Sequence, residues 1–143
     1  MIEATRPIML VEDNPMDIDL TRRAFQKRQI FNPIVVARDG EAALAMMMDW
    51  QKNTEHPVII LLDLKLPKVT GLEVLAQIKK HPKFKKIPVI ILSSSSDAGD
   101  ISQAYDLGVN SYIVKPVDFD QFMDVVTQIN QYWCMLNIVP GEQ

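Results

Sequence analysis

Four places in this sequence carry residue types suited to moving a charged group. Glu12-Asp13 follow the run Ile8–Val11, Asp63 follows Val58–Leu62, Ser93 follows Val89–Leu92, and Lys115-Pro116 follow Ser111–Val114. Each polar group thus stands directly beyond a short run of strand type. If those runs are neighbouring parallel strands, three carboxylates, a hydroxyl and an ammonium converge on one rim. Carboxylates in such proximity raise one another's pKa, and burial raises it further. A hard divalent cation resolves the conflict: Mg²⁺ takes oxygen ligands, keeps several waters, and binds through a few carboxylates plus a substrate phosphate. One carboxylate can then serve as nucleophile toward a phosphoryl group, with Lys115 and Ser93 holding its other oxygens. The implied chemistry is metal-assisted phosphoryl transfer to a carboxylate.

The elements that would position these residues are legible as alternation. The four runs and a fifth, Ile34–Val36, are separated by longer segments with helical spacing, giving five repeats of strand then helix. Val58–Leu62 is apolar throughout, as a central parallel strand covered on both faces requires. Such alternation implies an α/β layer architecture with right-handed crossovers. In an open sheet of this kind ligands bind beyond the carboxyl ends of the strands, where the polar residues fall. Helix starts are marked by Asn14-Pro15, by Asp39 and Asp97, and by capping-box spacing in Thr70–Glu73 and Asp118–Gln121. Pro82 and Pro88 bracket the connection into the fourth strand.

Composition narrows the class without naming a function. A chain of 143 residues suits one domain, and no internal repeat or linker divides it. No stretch approaches the roughly 20 apolar residues of a membrane span, and the opening MIEATRP lacks the pattern of a signal peptide, so a cytoplasmic chain is expected. Cys134 stands alone, which excludes an internal disulfide and a cysteine-rich metal site. A net charge of −3 offers no general attraction to DNA or to anionic membranes, and neither is an expected partner.

Val-Glu-Asp-Asn at 11–14, Leu-Asp-Leu-x-Leu-Pro from Leu62 to Pro67 with Gly71, Leu-Ser at 92–93 and Lys-Pro at 115–116 together resemble the signature of response-regulator receiver domains. The resemblance runs from about Pro7 into the last helix. It implies a single receiver domain over 1–143, with a core over about 7–135 and an apolar C-terminal tail at 136–143. The implied fold is a flavodoxin-like (βα)5 three-layer sandwich with a five-stranded parallel sheet in the order 2-1-3-4-5. By the resemblance Asp63 is the phosphoacceptor, and Glu12, Asp13, Asp63 and the backbone carbonyl of Lys65 hold Mg²⁺. Ser93 and Tyr112 stand at the switch positions, Lys115 at that of the phosphoryl-binding lysine, and the Lys115–Pro116 bond is expected to be cis. The implied protein is a phosphoacceptor switch rather than an enzyme with a separate substrate, and no organic cofactor is expected. Its partners would be a sensor histidine kinase and, through the fourth helix, fifth strand and fifth helix, a second copy of the chain. Within the family, Asp-Leu-Lys-Leu-Pro-Lys-Val-Thr-Gly-Leu-Glu-Val-Leu from Asp63 and Lys-Lys-Ile-Pro-Val from Lys85 are similar to stand-alone regulators of phytochrome-type kinases.

Blander readings compete at several of these residues. Glu12-Asp13 alone would suit a helix N-terminus, since carboxylates favour its positive end. Ser93 is selected over Ser94, Ser95 and Ser96 only by its register after Leu92. Asp63 has no easy bland reading, because a charge ending a buried strand is costly unless paired or metal-bound. His56 and His81 read as solvated loop residues, Met46–Met48 as helix packing with some exposure, and Cys134 as inert. Lys79, Lys80, Lys83, Lys85 and Lys86 read as a solvated face. Tyr132–Leu136 either pack back on the core or form a contact surface. A flavin-type cofactor binder would want a Ser/Thr/Gly phosphate loop where Glu12-Asp13-Asn14-Pro15 stands. An aspartate-nucleophile hydrolase would want a carboxylate where Lys65 stands, and a constitutive binding module would not need the whole constellation.

Overall fold

The computed structural model describes residues 6–52, 56–116 and 118–140 of the chain. Among these, β1 (Ile8–Val11) leads to α1 (Pro15–Lys27), β2 (Ile34–Ala37) to α2 (Gly40–Lys52), and β3 (Ile59–Leu62) to α3 (Gly71–Lys80). After a 3₁₀ turn (Phe84–Lys86) come β4 (Val89–Ser93), α4 (Ala98–Asp106), β5 (Ser111–Val114) and α5 (Phe119–Ile129). A π-helical segment (Asn130–Leu136) continues α5. Every strand pairing is parallel and the order is β2-β1-β3-β4-β5, the expected flavodoxin-like topology.

Alternation along the strands builds two cores from one sheet. Met9, Val11, Ile60, Leu62, Val89 and Ile91 point to the side covered by α2, α3 and α4, where they meet Met47, Trp50, Val74, Leu75, Ile78 and Ala104. Ile8, Leu10, Ile59, Leu61, Ile90 and Leu92 point to the other side and meet Ile18, Phe25, Phe122, Val126 and Ile129 of α1 and α5. Each such Ile or Leu contributes about 1.5–3 kcal/mol by leaving water, so the central strands fix the sandwich. The run Val58–Leu62 is apolar at every position because both faces are covered.

The helix starts follow their caps. Asn14 accepts from the N–H groups of Met16 and Asp17 with Pro15 in the first turn, and Thr70 and Glu73 form a reciprocal capping box. Asp39 accepts from Ala42, Asp97 from Asp100 and Asp118 from Gln121. Among the described residues no helix is long and apolar enough to cross a membrane. Residues 1–5, which form most of the segment behind the expected cytoplasmic location, and 141–143 of the expected tail lie outside the described residues.

Two expectations about the α3–β4 connection are corrected. Lys79 does not belong to a solvated basic face: its ammonium donates to Lys85 O at 3.0 Å, Ile87 O at 3.1 Å and Asn110 Oδ1 at 2.8 Å. Burial pulls its pKa down to about 8, and no carboxylate is among these partners. Three neutral oxygens, two from the turn before β4 and one from the residue before β5, substitute for water around one cation. His81 is not simply solvated either, because its Nδ1 accepts from the N–H groups of Lys83 and Phe84 and its ring stacks on Phe84 at 4.1 Å. His56 is likewise engaged, its Nδ1 2.9 Å from the Arg6 guanidinium.

Lys79→Met keeps the apolar stem and removes the shared donor. It is expected to lower stability by about 2 kcal/mol, the cost of stranding partly buried acceptors, seen as a lower urea midpoint at unchanged slope.

Candidate functional site

Parallel register carries the polar residues to a common rim. Val11 pairs with Leu62, and Asp63 N–H donates to Val11 O at 3.0 Å, so Glu12 and Asp63 lie level beyond β1 and β3. Ser93 pairs with Val114, and Lys115 N–H donates to Ser93 O at 2.8 Å, which sets Lys115 one step beyond. Strand alternation then sorts the side chains by face. Val11 and Leu62 belong to the α2–α4 side, so Glu12 and Asp63 turn toward α1. Lys115 follows Ile113 on that same side, whereas Ile91 and Tyr112 lie on the α4 side.

On the α1 side the acids gather around one cation. Carboxylate oxygens of Glu12, Asp13 and Asp63 lie within 4.8 Å of one another. Lys115 Nζ donates to Glu12 Oε1 at 2.6 Å, to Asp17 Oδ2 at 2.9 Å and to Asp63 Oδ2 at 3.4 Å. The second Glu12 oxygen accepts from Asn14 N–H, and Asp63 Oδ1 accepts from Leu64 N–H at 2.8 Å. Glu12 and Asp63 are only 3% and 9% exposed, whereas Asp13 is open to solvent. Burial pushes the Glu12 carboxyl up to about 7; the bond and charge of Lys115 oppose this, and the charge of Asp63 adds to it. Burial disfavours the Lys115 ammonium too, but its bonds to Glu12 and Asp17 and the nearby carboxylate charges outweigh that and raise its pKa.

This donor set fits a hard divalent cation. It offers oxygen ligands alone, two of the three carboxylates are desolvated, and the cluster already draws an ammonium into its centre. Asp17 is the member the sequence reasoning missed. It reads as an ordinary acid in the first turn of α1, and only its spacing of four residues from Asp13 hinted that it faces the rim.

The strand that ends at Asp63 runs into a loop clamped between two helix starts. At Gly71 a Cβ would lie 2.3 Å from Asp63 O, and at Gly40 one would lie 2.0 Å from Val69 O, so glycine alone permits both approaches. Lys68 within this loop has a φ of 69°, a left-handed conformation rare outside glycine. Lys65, in the same loop, is exposed.

On the α4 side, Ser93 is fully buried and its Oγ accepts from Ser95 N–H at 3.2 Å. Tyr112 OH donates to Ser95 O at 2.8 Å, and Ser95 Oγ donates to Asp100 Oδ2 at 2.6 Å. The serine and the tyrosine therefore meet through Ser95, a residue the sequence offered only as a competitor of Ser93. One expectation fails here: no peptide bond among the described residues is cis, so Lys115–Pro116 is trans. The cis–trans balance before proline is small enough for context to decide it, and the trans chain delivers Lys115 Nζ to Glu12 and Asp17. Cys134 is half-buried, and burial pushes its thiol up to about 11, consistent with little thiolate at neutral pH.

Comparison with known proteins agrees with this geometry. The profile of the response regulator receiver domain family matches residues 8–127. The chain is 40% identical over 144 residues to the probable methanogenesis regulatory protein FilR2 of Methanothrix harundinacea, covering 99% of this chain and 93% of that one. It is 38% identical over 136 residues to response regulator Rcp1 of Synechocystis sp., covering 94% of this chain and 92% of that one. The Mn²⁺-bound form of Rcp1 superposes with a TM-score of 0.85 at 36% identity, over 95% of this chain and 99% of that one. The phosphorylated cyanobacterial phytochrome response regulator RcpA superposes with a TM-score of 0.88 at 40% identity, over 96% of this chain and 99% of that one.

Because Lys115 holds the Glu12 pKa down against burial, Lys115→Met is expected to move the Glu12 carboxyl titration above about 7. Carbon-detected NMR of the glutamate carboxyls in metal-free protein measures this, and an unmoved Glu12 would contradict the pairing.

Proposed function

The chain belongs to the response regulator receiver family, and from that premise we propose that it is a phosphorylation switch whose acceptor is Asp63. The observation that carries the reading is the Lys115 ammonium set between Glu12 and Asp63, with Asp13 completing a cluster of oxygen donors. Glu12, Asp13, Asp63 and the Lys65 backbone carbonyl would hold Mg²⁺. When bound, the ion supplies positive charge to the transferring phosphoryl oxygens and relieves repulsion among the carboxylates. Relatives at similar identity are a Mn²⁺-bound and a phosphorylated regulator, which supports both halves of the reading.

In the proposed reaction an oxygen of the Asp63 carboxylate attacks phosphorus of a phosphohistidine on a sensor kinase. The P–N bond breaks and the imidazole leaves with its electron pair, which a proton then satisfies. Leu64 N–H, 2.8 Å from Asp63 Oδ1, holds the carboxylate plane. Lys115, already 3.4 Å from Asp63 Oδ2, offsets charge on the phosphoryl oxygens. Ser93 uses its oxygen to accept from Ser95, so its hydroxyl proton is available to a phosphoryl oxygen. Movement of that serine pulls on Ser95 and so disturbs the acceptor of Tyr112 OH. The readout surface is α4, β5 and α5, where Tyr105 and the edge-strand residue Val114 are exposed for a partner or a second copy. Resemblance to RcpA and Rcp1 favours a phytochrome-type kinase as the donor.

Incubation with acetyl phosphate or phosphoramidate should add one phosphoryl mass when Mg²⁺ is present, and none with chelator or in Asp63→Asn. Failure of the folded protein to gain mass under any condition would leave a constitutive binding module. In Lys65→Ala the phosphoryl should be lost several-fold faster, because the long cation beside the acceptor obstructs in-line water. An unchanged half-life in a mass time course would remove that role.

A further inference from the structure

We propose that Asp17 is a positioning residue: it retains the Lys115 ammonium at the rim when a divalent cation engages Glu12 and Asp63. The inference rests on the metal-dependent reading above and assigns to that site a residue outside its signature.

Lys115 Nζ has three carboxylate partners in this structure, at 2.6 Å to Glu12, 2.9 Å to Asp17 and 3.4 Å to Asp63. Two of the three also belong to the cluster able to hold a metal, whereas Asp17 does not. A divalent cation and the ammonium therefore draw on the same two carboxylates, Glu12 and Asp63. An ion entering that cluster places two positive centres around Glu12 and Asp63, and the more weakly attached one must give way. Without another anchor, the lysine would swing to solvent at the moment its charge is needed beside the acceptor.

Asp17 is built to be that anchor. Its N–H is held by the Asn14 side chain and its carbonyl by the Thr21 hydroxyl, so the first turn of α1 is fixed at both ends. Its side chain is more exposed than that of Glu12, at 35% against 4%, so it can hold the ammonium while remaining in contact with water. A carboxylate in the first turn also suits the helix dipole, but that role needs no partner and does not account for a 2.9 Å bond to Lys115.

A second account must be separated: the negative charge of Asp17 could attract the ion directly through space. A double-mutant cycle distinguishes the two, because an effect acting through Lys115 disappears with Lys115. Mn²⁺ affinity is read from the free-ion paramagnetic resonance signal in wild type, Asp17→Asn, Lys115→Met and the double variant. Asp17→Asn should weaken Mn²⁺ binding about fivefold beside Lys115, the scale of one partly exposed ion pair, and leave it unchanged in the Lys115→Met background. Asp17→Glu, which keeps the charge, should recover most of the loss, and urea midpoints confirm that each variant is folded. Equal weakening in both backgrounds, or none in either, overturns the role of Asp17 while the metal site stands. Absence of Mn²⁺ binding by folded wild type overturns the metal site and this inference together.

Discussion

Carboxylates taken out of water must be matched by positive charge, and Glu12 and Asp63 are nearly buried at the ends of adjacent central strands. Burial without a partner disfavours the charged form of such a group, and at Glu12 it pushes the carboxyl up to about 7 even beside a lysine. Lys115 meets the requirement in this structure by standing between them. The arrangement is uneven: one ammonium serves Glu12, Asp17 and Asp63, with Asp13 clustered beside Glu12 and Asp63, and burial still leaves the Glu12 pKa elevated. The rim is thus prepared for additional cationic charge, and the proposed Mg²⁺ and phosphoryl chemistry would take up this imbalance.

That electrostatic arrangement is possible because the sheet separates its two faces. Alternation places Glu12, Asp63 and the lysine toward α1, and Ser93 and Tyr112 toward α4, all at one rim. In the proposed reaction, a cation on one face and the Ser93 hydroxyl on the other would both bear on Asp63. Ser95 adds the mechanical connection on the α4 side, tied to Ser93 Oγ, Tyr112 OH and Asp100 at the start of α4.

Most of this was legible in the sequence because apolar period and strand-end polarity are local signals. Strand limits agree to within a residue: Ala37 extends β2, Ser93 extends β4, and Val58 precedes β3. The positions of Glu12, Asp63, Ser93 and Lys115 at one rim follow from register, which parallel pairing makes nearly automatic. What stayed hidden depends on side chains reaching between elements distant in sequence. Asp17 meets a lysine 98 residues away, and Lys79 meets Asn110 across 31. Both residues look like ordinary solvated charges in their own helices. The geometry of Lys115–Pro116 was hidden for a different reason: the intrinsic preference before proline is small, so the local sequence does not fix it.

The C-terminal segment shows how far tertiary contact can divide a single apolar stretch. Trp133 and Cys134 pack against the α1–α5 core, while Tyr132, Met135, Leu136 and Ile138 stay between 51% and 70% exposed. Of the two readings of this stretch, core closure holds for Trp133 and Cys134, while the other four side chains are left open to solvent. The π-helical turn beginning at Asn130 rotates the residues after Ile129 relative to a regular continuation of α5. With that rotation, one run of apolar residues both closes the core and leaves an apolar strip beside it. The strip grows out of α5, which also belongs to the proposed readout face, so a partner docked there could contact both. Beneath the rim the two-sided core is close-packed, so a changed charge at Asp63 would be expressed in the rim's hydrogen bonds without repacking the strands beneath.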